Sequence, residues 1–125
     1  LRNNFHMDHV FPISRFGAAK LRRAGYDDEE AERLAHRASQ LPNIQLLEGA
    51  ANVEKRASMP EDWLARYKTD EASRADYRDR HVLGTLPVDL ADFDRFYEER
   101  RQSLRCRLST LLEGAAAKHL AEAAE

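Results

Sequence analysis

Two short apolar segments constrain this chain more than anything else in it. One is Phe5-His6-Met7-Asp8-His9-Val10-Phe11-Pro12, and the other is Leu41-Pro42-Asn43-Ile44-Gln45-Leu46-Leu47. Both are apolar runs bounded by proline or turn-forming residues, which reads as two short strands. Residues 5–11 form the first, with Phe5, Met7, Val10 and Phe11 as apolar bulk. Pro12 ends it, because proline has no N–H to offer a ladder. Residues 43–47 form the second. Glu48-Gly49 then turns the chain into a short helix from about residue 50 to 57. The polar residues on this frame are an Asp-His pair near the end of the first strand and an Asn at the start of the second. A second Asn follows nine positions on, at Asn52, with Lys55 three beyond it.

Everything else reads as helix. Residues 17–24 suit a short helix closed by Gly25. Asp27-Asp28-Glu29-Glu30 opens a longer one to about Gln40, with Arg33, His36 and Arg37 late in it, matching the helix dipole. Ala31, Leu34, Ala35 and Ala38 recur at helical spacing. Pro60 suits the first turn of a helix through Trp63 to Tyr67, with Trp63 in the core. Residues 71–80 form a charged helix, and Gly84 and Pro87 break the chain. A long helix follows from about residue 90 to 112. Leu90, Phe93, Phe96, Tyr97, Leu104, Leu108, Leu111 and Leu112 are its expected buried side, and the tail frays after Gly114. Arg100, Arg101, Arg105 and Arg107 read as a solvated face paired with Glu98 and Glu99. The expected class is α+β, with a two-stranded hairpin, an inserted helix and further C-terminal helices. Residues 1–68 would make the core and 69–125 an extension packed on it within one domain.

Composition narrows the function. The length, 125 residues, suits one domain with a modest core. A net charge of −2 argues against coating nucleic acid by bulk positive charge. Residues 1–68 carry 11 Lys/Arg against 10 Asp/Glu, and residues 69–125 carry 9 against 12. Any hold on DNA therefore rests on local clusters such as Arg15-Lys20-Arg22-Arg23 and Lys55-Arg56, or on an upstream part of the protein. Cys106 is the only cysteine, which excludes an internal disulfide and a multi-cysteine zinc site. No apolar run approaches the roughly 20 residues needed to cross a bilayer. The chain begins at Leu1, and we expect an upstream domain of the same polypeptide and a bacterial cytoplasmic setting.

The polar residues on the two strands suit phosphodiester hydrolysis. That reaction needs a nucleophile made near neutral pH and positive charge for the phosphate and leaving oxygen. Histidine is the usual base, its ordinary pKa of about 6.5 leaving it mostly neutral there. Hard ions such as Mg²⁺ prefer oxygen ligands, few of them from protein. From about Phe5 to Leu64 the chain resembles the HNH, or ββα-metal, endonucleases, most of all the C-terminal nuclease domain of GmrSD-type restriction systems. The likeness continues more loosely through Phe93-x-x-Phe96-Tyr97-x-x-x-Arg101. It implies that His9 is the general base, that Asp8 and Asn52 hold one Mg²⁺ or Mn²⁺, and that Asn43 ties down the loop carrying His9. It also implies that Lys55 and Arg56 contact phosphate.

Neighbouring residues on a regular strand face opposite ways. Asp8 and His9 can therefore serve one phosphate only if the strand ends or bulges at His9. His6 shares a face with Asp8 and is a third candidate ligand. The implied function is a metal-dependent DNA endonuclease that nicks double-stranded DNA as the effector of a restriction or phage-defence protein. A non-cleaving DNA-binding or assembly module with the same fold is the alternative, and an RNA-cleaving toxin would use similar chemistry.

Overall fold

The computed structural model describes residues 4–124, with the side chains of residues 52–54 left outside that description. The chain is mixed α+β and mostly helical. β1 (Phe5–His9) and β2 (Ile44–Glu48) pair antiparallel, Phe5 opposite Glu48, Asp8 opposite Gln45 and His9 opposite Ile44. Between them lie α1 (Ala18–Arg23) and α2 (Asp28–Ala38), and α3 (Gly49–Lys55) follows β2 directly. α4 (Pro60–Tyr67), α5 (Glu71–Arg80) and α6 (Phe93–Ala123) complete the chain. Among the described residues, no helix is long and apolar enough to cross a membrane.

Alternation along the hairpin sorts its residues. Phe5, Met7 and Leu46 are exposed on one face, while Asp8, Gln45 and Leu47 are buried on the other. β1 stops two residues short of the expected end. After His9 the Val10 N–H still donates to the Asn43 carbonyl at 2.8 Å, and then the Asn43 side chain takes over. Val10 and Phe11 are both fully buried, so alternation has ended. β1 and α2 thereby come under one clamp. Asn43 Oδ1 accepts from the Phe11 N–H at 2.8 Å, and Nδ2 donates to the carbonyls of Phe11 at 3.0 Å and Ala38 at 2.8 Å. The last of these occupies a carbonyl that the end of α2 leaves unpaired.

Local rules place the helices. Asp27 caps α2 by accepting from the Glu30 N–H at 2.8 Å, and Asp70 caps α5 by accepting from the Ser73 N–H at 2.8 Å. α5 closes with the Val82 N–H on the Asp79 carbonyl and the Leu83 N–H on the Arg78 carbonyl. That is the Schellman pattern, here with valine at φ 54° where glycine is usual.

One core joins both halves of the chain. Val10, Phe11, Leu21, Leu34 and Trp63 belong to the same buried cluster as Tyr77, Leu83, Phe93, Phe96 and Tyr97. Phe11, Phe16 and Phe93 meet edge to face, their centroids 4.8–5.7 Å apart. Arg33 and Arg37 of α2 grip Asp94 of α6, and Arg37 also reaches Glu98.

α6 departs from expectation in two ways. It does not fray after Gly114 but runs on to Ala123, since the run Ala115-Ala116-Ala117 has the highest helix propensity of any residue type. Its leucines are also less buried than expected. Phe93, Phe96, Tyr97 and Arg100 are buried, whereas Leu108, Leu111 and Leu112 are exposed because the helix has run past the end of the core. Arg100 is the reverse case. Instead of lying in a solvated face it is buried, donating to the carbonyls of Pro42 at 2.9 Å, Ile44 at 2.6 Å and His81 at 3.2 Å. Burial pulls its pKa down to about 10. It pins the start of β2 to the end of α5.

Candidate functional site

The inward face of the hairpin carries a chain of buried polar groups. Asp8 faces inward from β1, with 8 % of its surface exposed. Its Oδ2 accepts from Gln45 Nε2 at 3.0 Å and pairs with Lys55 Nζ at 3.1 Å. Gln45 Oε1 in turn accepts from the Tyr77 hydroxyl at 2.9 Å. Lys55 also donates to the His9 carbonyl at 2.7 Å. The chain therefore runs Tyr77, Gln45, Asp8, Lys55, His9, and crosses from α5 through both strands to α3. Asp8 Oδ1 has no partner among the described residues.

Chemistry fixes the direction of every bond. An ionised carboxylate only accepts, so Gln45 must turn its NH₂ towards Asp8. Its carbonyl oxygen then faces Tyr77, whose hydroxyl must donate. Burial pushes the Tyr77 hydroxyl well above its ordinary pKa, with the charge on Asp8 adding to the shift, so the donor keeps its proton. Burial lowers the Lys55 pKa, and Asp8 opposes that shift through charge and hydrogen bond.

Lys55 is corrected by this geometry. The expected phosphate contact requires an exposed ammonium, and this one has no exposed surface and is spent on Asp8 and the His9 carbonyl. The reason is its place as the last residue of α3, where the helix packs across the hairpin. Arg56 follows at φ 48° and is exposed. Asn43 is fully buried and holds the segment after His9 by the bonds described above.

His9 is the last residue of β1 and is half-buried. Its pairing with Ile44 is regular, so the strand ends there without a bulge, and Asp8 and His9 leave it on opposite faces. His6 is exposed, with its imidazole over Gly49. A Cβ on Gly49 would stand 3.1 Å from His6 Nε2, so a larger residue there would make the exposed imidazole shift by a few tenths of an ångström. Asn52 lies in α3 one turn before Lys55, but its side chain is outside the described residues.

The donors present suit a small hard cation. Asp8 offers one carboxylate oxygen without a partner among the described residues, in a largely buried setting, and such ions take few protein ligands, all oxygen. Among the described residues no three His, Cys, Asp or Glu side chains gather as a metal cluster. The expected set is Asp8 and Asn52 with His6 as a third candidate, so it holds at most two such side chains and lies below that count.

Gln45 and Tyr77 escape the sequence reading. Gln45 carries a faint signal, being a polar residue on an inward position between outward Ile44 and Leu46. Tyr77 carries none beyond being the only large apolar residue in a charged helix. No protein-family model matches the chain, and no curated protein does either.

Proposed function

We propose that this chain is a metal-dependent endonuclease of the HNH type that hydrolyses DNA phosphodiester bonds. The observation that carries the proposal is the buried Asp8 carboxylate with one oxygen held by Gln45 and Lys55 and the other without a partner among the described residues. A hairpin followed directly by a helix, with an Asp-His pair ending its first strand and an asparagine tying down the segment beyond, also fits the ββα-metal core that the sequence resembles.

In this proposal Asp8, with Asn52 of α3, holds one Mg²⁺ or Mn²⁺, and His6 is the spare candidate. A bound ion of this kind supplies positive charge for the phosphate and the leaving oxygen. The remaining steps fall to the chain. His9 takes a proton from water, the water oxygen forms a bond to phosphorus, and the P–O bond to the leaving oxygen breaks. His9 stands where the strand ends, on the face opposite Asp8. The ion and its phosphate must therefore sit past the strand end within reach of both side chains, over the backbone that the Asn43 clamp fixes. Lys55 holds Asp8 in place of touching the phosphate. Arg56 remains the candidate for that contact. With one site per chain the product is a nick in double-stranded DNA. An effector role in restriction or phage defence, beside an upstream domain in a bacterial cytoplasm, completes the proposal.

The test is incubation of supercoiled plasmid with Mg²⁺ or Mn²⁺. Wild type should yield open circles, and His9→Ala should lose a hundredfold or more, the order expected for a general base. Asn52→Ala, which removes a metal ligand, should lose most activity. Equal nicking by all three proteins rules the proposal out.

A further inference from the structure

Building on the nuclease reading, we infer that Gln45 and Tyr77 are positioning residues that select the cation, by deciding which oxygen of Asp8 it meets. Oδ2 is held from two sides, by the Gln45 amide at 3.0 Å and the Lys55 ammonium at 3.1 Å. Among the described residues only Oδ1 is left without a partner. Ca²⁺ gathers six to eight oxygens and commonly takes both from one carboxylate, whereas Mg²⁺ demands a small octahedron and takes one. A carboxylate with one oxygen locked therefore favours Mg²⁺ or Mn²⁺ and denies Ca²⁺ the two-oxygen grip.

Tyr77 is what keeps the lock engaged. A glutamine amide can turn over, and a turned Gln45 would present its carbonyl oxygen to the Asp8 carboxylate. The Tyr77 hydroxyl, donating to Oε1 at 2.9 Å, holds the amide the other way. Trp63 and Tyr67 pack edge-on to the Tyr77 ring, and His81 stacks on it at 4.1 Å, so the hydroxyl is rigidly aimed. The C-terminal helices thus reach the site through one oxygen atom. Residues that orient ligands in this way typically govern metal affinity by about 10- to 100-fold.

The experiment titrates the whole chain with Mn²⁺, following free Mn²⁺ by electron paramagnetic resonance, then competes with Mg²⁺ and with Ca²⁺. Tyr77→Phe deletes one oxygen and keeps the ring, and Gln45→Met keeps the shape without the donor. Tyr67→Phe is the control, since its hydroxyl has no hydrogen-bond partner among the described residues. Circular dichroism checks that each variant is folded. We expect Tyr77→Phe and Gln45→Met to weaken Mn²⁺ about tenfold or more and to narrow the preference for Mg²⁺ over Ca²⁺, with Tyr67→Phe unchanged. Folded variants with wild-type Mn²⁺ affinity and the same Mg²⁺ over Ca²⁺ order overturn the inference while leaving the nuclease reading standing. A wild type that binds no Mn²⁺ overturns both.

Discussion

Lys55 has no exposed surface and one carboxylate for company, which makes it the residue whose removal is most informative for stability. Breaking a buried pair from one side leaves the other charge stranded, typically at a penalty of about 3–5 kcal/mol. We predict that loss for Lys55→Met in urea denaturation. Adding Asp8→Asn should restore much of it, because the neutral amide no longer needs a counter-charge and its oxygen still accepts from Gln45. A double variant no more stable than Lys55→Met would contradict a charge-based penalty. The residues of this neighbourhood were unequally legible. Asp8, His9 and Asn43 stand out because their pattern is local and tied to strand ends. Gln45, Tyr77 and Arg100 do not, because their roles depend on strand register and on packing between elements far apart in sequence. Lys55 misleads for the same reason, since spacing says which turn it occupies but not whether that turn faces solvent or core.

Elements were legible where caps and breakers mark them. Asp27, Pro60 and Gly25 bracket helices close to where the chain forms them. The exception is α6, whose leucines keep a helical rhythm well past the last residue they could pack against. Periodicity reports which face is apolar and is silent on where the neighbouring layer stops. The end of α5 offers a direct test of backbone strain. Val82 sits at φ 54°, where a β-branched residue is unfavourable by about 1–2 kcal/mol. Glycine relieves that strain but is freer in the unfolded chain, by about 0.5–1 kcal/mol. We therefore predict a net gain of up to about 1 kcal/mol for Val82→Gly, read as a higher urea midpoint. A lower midpoint would mean that the valine side chain contributes packing that outweighs its backbone.

For the molecule as a whole, a single core joins residues 1–68 to the helices beyond, so neither part should stand alone. We predict that residues 1–68 expressed by themselves show no cooperative thermal transition, lacking Tyr77, Phe93 and Phe96. Ending the chain after Leu112 should leave the melting temperature within a degree or two, since the residues removed are exposed where described. Stability should also fall in mild acid. Burial, with Arg80 and Arg100 nearby, holds the His81 pKa below its ordinary value of 6.5. The unfolded chain accepts a proton that the folded one refuses, so stability present above about pH 6.5 is lost as pH falls through the folded value. His81→Phe keeps a ring to stack on Tyr77 and should flatten that decline between about pH 7 and 5. An unchanged slope would assign the decline to other groups. The claim on which the functional proposal rests is that Asp8 receives a divalent cation. Its most direct measurement is the anomalous density of a crystal soaked in Mn²⁺. We predict one peak within about 2.0–2.3 Å of Asp8 Oδ1, with Oδ2 still bonded to Gln45. A well-ordered Asp8 with no peak beside it, or a peak elsewhere on the surface, contradicts the proposal.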